Sequence, residues 1–141
     1  LDYFGDVPDS ARALHGDHMR VDITGARRFK TGYKAAGLTG RVAYLAPHDA
    51  QPYLLVRAYF VNPSTAYVEE PPAQPGVTGQ ALHVYNDDGR IGGFGEMECS
   101  GQAVGGGSGR GVSADTFTLW AYSGPVDKLR GIARALVGVR L

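Results

Sequence analysis

The stretch QALHVYNDDGRIGGFGEMECS, residues 80–100, decides the fold class. From Gln80 to Asn86 the side chains alternate, with Leu82 and Val84 on one face and Ala81, His83 and Tyr85 on the other. From Phe94 to Ser100 they alternate again, with Phe94, Glu96 and Glu98 opposite Gly95, Met97 and Cys99. Between the two runs stand Asn86, Asp87, Asp88 and Gly89, residue types that tolerate the positive φ of a hairpin or bulged turn. A period of two on both sides of such a turn predicts a β-hairpin.

Moving outward, runs of the same kind recur between Gly, Pro, Asn and Asp clusters. Met19, Val21 and Ile23 alternate with Arg20, Asp22 and Thr24 up to Gly25. Further strands are expected over 27–35, 41–46, 53–61, 65–69 and 115–123, which makes about eight in all. Pro47, Pro52, Pro63, Pro71, Pro72 and Pro75 fall between strands, where a missing amide donor does no harm to a ladder. In the last strand Phe117, Leu119 and Ala121 share one face, and Thr116, Thr118, Trp120 and Tyr122 the other; one face is expected to be core and the other partly aromatic. The segment Gly105–Gly111 offers almost no side chains to bury and is expected to be a mobile loop. After Pro125 the period changes: Val126, Leu129, Ile132, Ala133 and Leu136 follow helical spacing, and Gly138 supplies a stop. The expected fold is an all-β antiparallel sandwich over 1–141 with one C-terminal helix at 125–138.

Composition bounds the function. The 141 residues are 43% hydrophobic and 20% charged, enough for one buried core and short for two ordinary domains. Fourteen basic residues balance fourteen acidic ones, so no net field draws the chain to nucleic acid or to anionic lipid. No apolar run approaches the roughly 20 residues of a membrane-spanning helix. A soluble protein is expected, with the cytoplasm as the default compartment. The chain begins at Leu1 rather than Met, as a processed chain or a fragment would.

Motifs for dinucleotide, nucleoside triphosphate, zincin and lipase-type chemistry do not occur. The single cysteine, Cys99, excludes an internal disulfide and any CxxC pair. His15, Asp17 and His18 carry metal-ligand chemistry, but Gly16 argues against the helix that would align them, so they are expected to form a polar loop. His48 falls in a proline-bounded turn. Neither metal nor cofactor is expected. The basic segment 27–34 places Arg28 and Lys30 on one strand face; it is expected to be solvated, although an anionic sugar or carboxylate would use the same cations.

The densest chemistry is Gly95-Glu96-Met97-Glu98. As strand neighbours on one face, the two carboxylates stand roughly 7 Å apart. Partial burial would raise one of their pKa values toward those useful for proton transfer. Phe94 or Trp120 offers a ring on which a sugar face stacks. The alternative is an exposed polar face, just as His83 is either a core-edge histidine or a catalytic one.

The order of these features resembles the C-terminal half of the galactose mutarotase-like, or aldose-epimerase-like, β-sandwich proteins. The matching features are an apolar strand with Arg57 and Phe60, the turn 62–67, the Tyr85–Gly89 hairpin, Gly95-Glu96-Met97-Glu98, a Gly-rich loop and a late strand at 116–122. The resemblance implies a carbohydrate-binding or carbohydrate-active domain. It makes Glu98, with Glu96 as the second choice, the base at the anomeric hydroxyl. A histidine is the family's acid toward the ring oxygen; the segment that carries it there has no counterpart here, and His83 takes the role only if it faces Glu98 across the sheet. Arg57, Tyr85, Phe94, Trp120 and Tyr122 complete the expected ligand surface. A second copy or a partner chain is expected to complete the sheet. The competing expectation is a non-catalytic interaction or self-assembly module.

Overall fold

The computed structural model describes residues 6–67, 79–104 and 109–139. Among them the strands are β1 (Arg12–His15), β2 (His18–Val21), β3 (Phe29–Tyr33), β4 (Arg41–Ala46), β5 (Tyr53–Tyr59), β6 (Leu82–Asn86), β7 (Gly95–Cys99) and β8 (Phe117–Ser123), followed by α1 (Val126–Val137). All pairings are antiparallel, in the orders β1-β2, β3-β6-β7 and β4-β5-β8. The protein is therefore all-β with one C-terminal helix, as its alternation patterns predict. The chain divides into two compact units: Leu1–Leu38 with Val61–Ala114, and Thr39–Phe60 with Asp115–Leu141.

In the first unit the hairpin of residues 80–100 is present, β6 and β7 pairing from Leu82↔Cys99 to Asn86↔Gly95. β3 lies on the other side of β6, Phe29↔Asn86 to Tyr33↔Leu82. Tyr67, Ala35 and Ala81 form a small core onto which Leu38 and Val61 pack. Two local differences from the sequence reading have local causes. The polar loop expected at His15–His18 is a tight hairpin turn, Gly16 at φ 62 with a following residue of negative φ, which lets the short strand Arg12–His15 pair with β2. The strand expected over 65–69 gives only the isolated bridge Tyr67↔Gln102 in its described part, and residues 68–69 lie outside the described residues. There the Asn62 side chain accepts the Ser64 amide at 2.9 Å and the Tyr67 hydroxyl accepts the Asn62 amide at 2.9 Å, a local turn that competes with a ladder. Pro71, Pro72, Pro75 and residues 105–108 of the expected glycine loop also lie outside the described residues.

In the second unit α1 packs on one face of β4-β5-β8. Leu54, Val56, Leu129 and Ala133 are its buried centre, and Trp120, Tyr122, Ala43 and Leu45 pack around them. Burying Leu129 alone stabilises the unit by about 2 kcal/mol. The helix begins after Pro125, where the absent amide costs nothing, and ends at Gly138, whose φ of 86 lets its amide bond the Arg134 carbonyl at 3.0 Å. β8 alternates as expected, but its faces are exchanged: the partly aromatic face, expected opposite the core, is the one that packs inward, because Trp120 and Tyr122 have the bulk to fill the space under the helix. Phe117 and Leu119 are left more than half exposed. No helix among the described residues is long and apolar enough to cross a membrane.

Candidate functional site

The register of β3-β6-β7 gathers charge on one face. Lys30 stands opposite Tyr85, Tyr85 opposite Glu96, and His83 opposite Glu98. Arg28, Lys30, Tyr85, Glu96 and Glu98, with Ile91 and Phe94 from the β6-β7 connection, line an open concavity of about 340 Å³. Four of the residues singled out in the sequence, Tyr85, Phe94, Glu96 and Glu98, thus line one cleft. Arg57, Trp120 and Tyr122 belong to the other unit and do not line it. There Arg57 holds its guanidinium over the Phe117 ring at 4.2 Å, a cation–π contact, while Trp120 and Tyr122 pack on the helix core.

Lys30 is the correction with most consequence. Expected on a solvated face, its side chain is only 7% exposed, and its Nζ donates to Glu98 Oε2 at 2.8 Å. The contact runs diagonally over the sheet, since the direct partner of Glu98 is His83 and the direct partner of Lys30 is Tyr85. An ammonium so shielded from water needs a carboxylate partner. His83 does face Glu98 in register, but it is buried, 3% exposed. Its ring leans toward β3: a Cβ added at Gly32 would come within 3.1 Å of His83 Cδ2. Glycine at 32 leaves room first for the Gln80 side chain, whose Cγ would lie 2.6 Å from an added Cβ, and then for the imidazole.

The back of the cleft is a network on Tyr85. Its hydroxyl donates to Asp87 Oδ1 at 2.9 Å and accepts from Arg28 Nε at 3.1 Å. The Phe94 ring lies against the Tyr85 ring, centroids 5.6 Å apart and tilted by 44°. Asp87 Oδ2 in turn accepts the amides of Gly89 at 2.8 Å, Gly93 at 3.0 Å and Ile91 at 3.2 Å. Gly89 and Gly93 have φ of 90 and 66, conformations that point their amides inward and that a side chain resists. Burial by itself pushes the Asp87 carboxyl up; the three amides and the Tyr85 hydroxyl outweigh it and hold the pKa at about 2. Burial, and then the bond to Asp87, push the Tyr85 hydroxyl above its ordinary 10.0, against the opposing pull of Arg28. Next to Asp87, the buried Asn86 accepts the amides of Thr24 at 3.0 Å and Gly25 at 3.1 Å and donates to the Arg27 carbonyl at 2.6 Å, which fixes the chain leading into Arg28.

Sequence reading did not find the roles of Asn86, Asp87 or Ile91. The only signal was the Asn-Asp-Asp-Gly composition, which marks a turn without saying which carboxylate is drawn inside it. Among the described residues no group of three or more His, Cys, Asp and Glu side chains could hold a metal ion. The stacked rings of His15 and His18, centroids 5.7 Å apart, close the β1-β2 hairpin. Compared with family models, curated proteins and solved structures, the chain matches none of them.

Proposed function

We propose that this protein binds a carbohydrate on the β3-β6-β7 face. The observation that carries the reading is the conjunction, in one open concavity, of an aromatic pair, Tyr85 and Phe94, with a charged donor–acceptor pair, Lys30 and Glu98. A sugar presents an apolar C–H face and hydroxyl groups that both donate and accept. The exposed Phe94 ring, backed by Tyr85, suits the first; the Glu96 and Glu98 carboxylates, with the Lys30 ammonium behind Glu98, suit donating hydroxyls. The sequence resemblance to mutarotase-like proteins supports the same reading and gives Glu98 the central role. The proposal is of binding rather than anomer exchange, because the Glu98 carboxylate is already held by Lys30 and His83 is buried. Saturation-transfer NMR against hexoses, pentoses and uronic acids tests it. Transfer to a sugar, lost on Phe94→Ala, is the expected result, and no transfer to any of them removes the proposal.

A second reading, association with a further copy or a partner chain, rests on β8. It is an edge strand of its sheet and exposes Phe117 and Leu119 by 56% and 55%. It predicts a concentration-dependent oligomer in analytical ultracentrifugation that Leu119→Glu abolishes. Leu119 is the residue to change, because a Trp120 substitution would disturb the helix core as well.

A further inference from the structure

Asp87 is the one fully buried carboxylate among the described residues, and no part of the binding proposal above uses it. It sits at the end of β6, one residue past the last ladder pair, where the chain leaves the sheet and begins the connection to β7. Its two oxygens do different work. Oδ2 gathers the amides of Gly89, Ile91 and Gly93 and so folds the connection over the sheet end. Oδ1 accepts a hydrogen bond from the Tyr85 hydroxyl, and the Tyr85 oxygen in turn accepts from Arg28 Nε. A carboxylate without a proton cannot donate, so the direction of the whole chain of bonds, Arg28 to Tyr85 to Asp87, is set from the buried end.

We infer that Asp87 is the positioning residue of this cleft, one carboxylate holding two of its walls: Oδ2 the loop that brings Ile91 and Phe94 to the rim, Oδ1 the Tyr85 hydroxyl that anchors Arg28. The inference rests on the reading of the cleft as a sugar site for its purpose, and on the hydrogen bonds alone for its mechanism.

The test uses the full chain labelled with nitrogen-15 and two variants. Asp87→Asn keeps the shape of the side chain but cannot accept at both ends. It is expected to move the amide resonances of Gly89, Ile91 and Gly93 and the Arg28 Nε–H resonance together, without ligand. Tyr85→Phe is expected to move the Arg28 Nε–H resonance and to leave those three amides nearly in place, a split that general destabilisation would not produce. For a sugar that transfers saturation in the unmodified chain, Asp87→Asn is expected to raise the dissociation constant at least about tenfold, the loss of a charge-assisted bond. Asp87→Asn with unmoved amides and an unmoved Arg28 signal would overturn the inference. If that variant does not fold, Tyr85→Phe with an unmoved Arg28 signal overturns it instead. Saturation transfer to no sugar sinks the binding proposal alone, because the resonance shifts are read without ligand.

Discussion

Lys30 Nζ lies 2.8 Å from Glu98 Oε2, a contact that joins the first and last strands of the β3-β6-β7 sheet across the strand between them. Sixty-eight residues separate the pair along the chain. It closes the floor of the cleft, and the two partners are not equally shielded: the lysine side chain is 7% exposed and the glutamate 34%.

That asymmetry predicts unequal mutational costs. Glu98→Ala takes a carboxylate from a buried ammonium and is expected to lower stability by roughly 2 kcal/mol, whereas Lys30→Met leaves a carboxylate with access to water and costs less. A double-mutant cycle in urea should return a coupling of about 1 kcal/mol, reduced from a fully buried pair by the exposure of Glu98. Equal single-variant costs with no coupling would show the pair to be incidental.

Asp87 predicts an acid limb in the stability profile. Its folded pKa, about 2, lies below the ordinary 3.8, so the native state binds fewer protons than the unfolded state in that window. The stability it contributes is present above about pH 4 and is lost as the pH falls toward 2. Melting curves between pH 2 and 5 should show this loss in the unmodified chain and a flatter profile in Asp87→Asn. Parallel profiles would contradict the assignment.

Asn86 makes a local prediction. Its side chain satisfies two amides and one carbonyl of the segment 24–27 from a site with no exposure. Asn86→Ala is expected to cost about 2 kcal/mol, since three part-buried bonds to the backbone of the segment are lost together. Hydrogen exchange at the Thr24 and Gly25 amides should accelerate beyond the global change; protection that persists there would place the cost elsewhere.

Two glycines should respond with opposite signs. Gly131 lies inside α1 with nothing near the position of an added Cβ, so Gly131→Ala is expected to stabilise by about 1 kcal/mol. A Cβ at Gly79 would collide with the Tyr67 backbone carbonyl oxygen, which cannot move aside as a flexible side chain would, so Gly79→Ala should destabilise strongly. Thermal melts of the two variants decide both.

Much of the fold was legible because alternation and punctuation are local. The 80–100 hairpin and the Gly138 helix stop each depend on residues within a few positions of one another. The strand Arg12–His15 escaped because four residues with one large apolar side chain carry little periodic signal, and only the turn at Gly16 makes it pair. Alternation put Lys30 on the correct face of its strand, but whether that face is wet depends on Glu98 reaching over β6, a fact of register that no local pattern holds. The same limit applies to β8: both of its faces are apolar enough to be core, and the helix chose the one with Trp120 and Tyr122. At the site, the glutamates and Phe94 were visible as chemistry on one strand face, whereas Asp87 looked like any turn aspartate until its oxygens were seen to collect four donors.

Carbohydrate binding by the cleft is decided by a saturation-transfer NMR screen of the unmodified chain against neutral hexoses and pentoses and against uronic acids, repeated on Phe94→Ala and Glu98→Gln. Sugar binding on the β3-β6-β7 face predicts transfer to at least one sugar, strongest at the protons of the C–H face that meets Phe94, and lost or much weakened in both variants while their melting curves stay cooperative. Transfer to no sugar, or transfer unchanged in both variants, would contradict it.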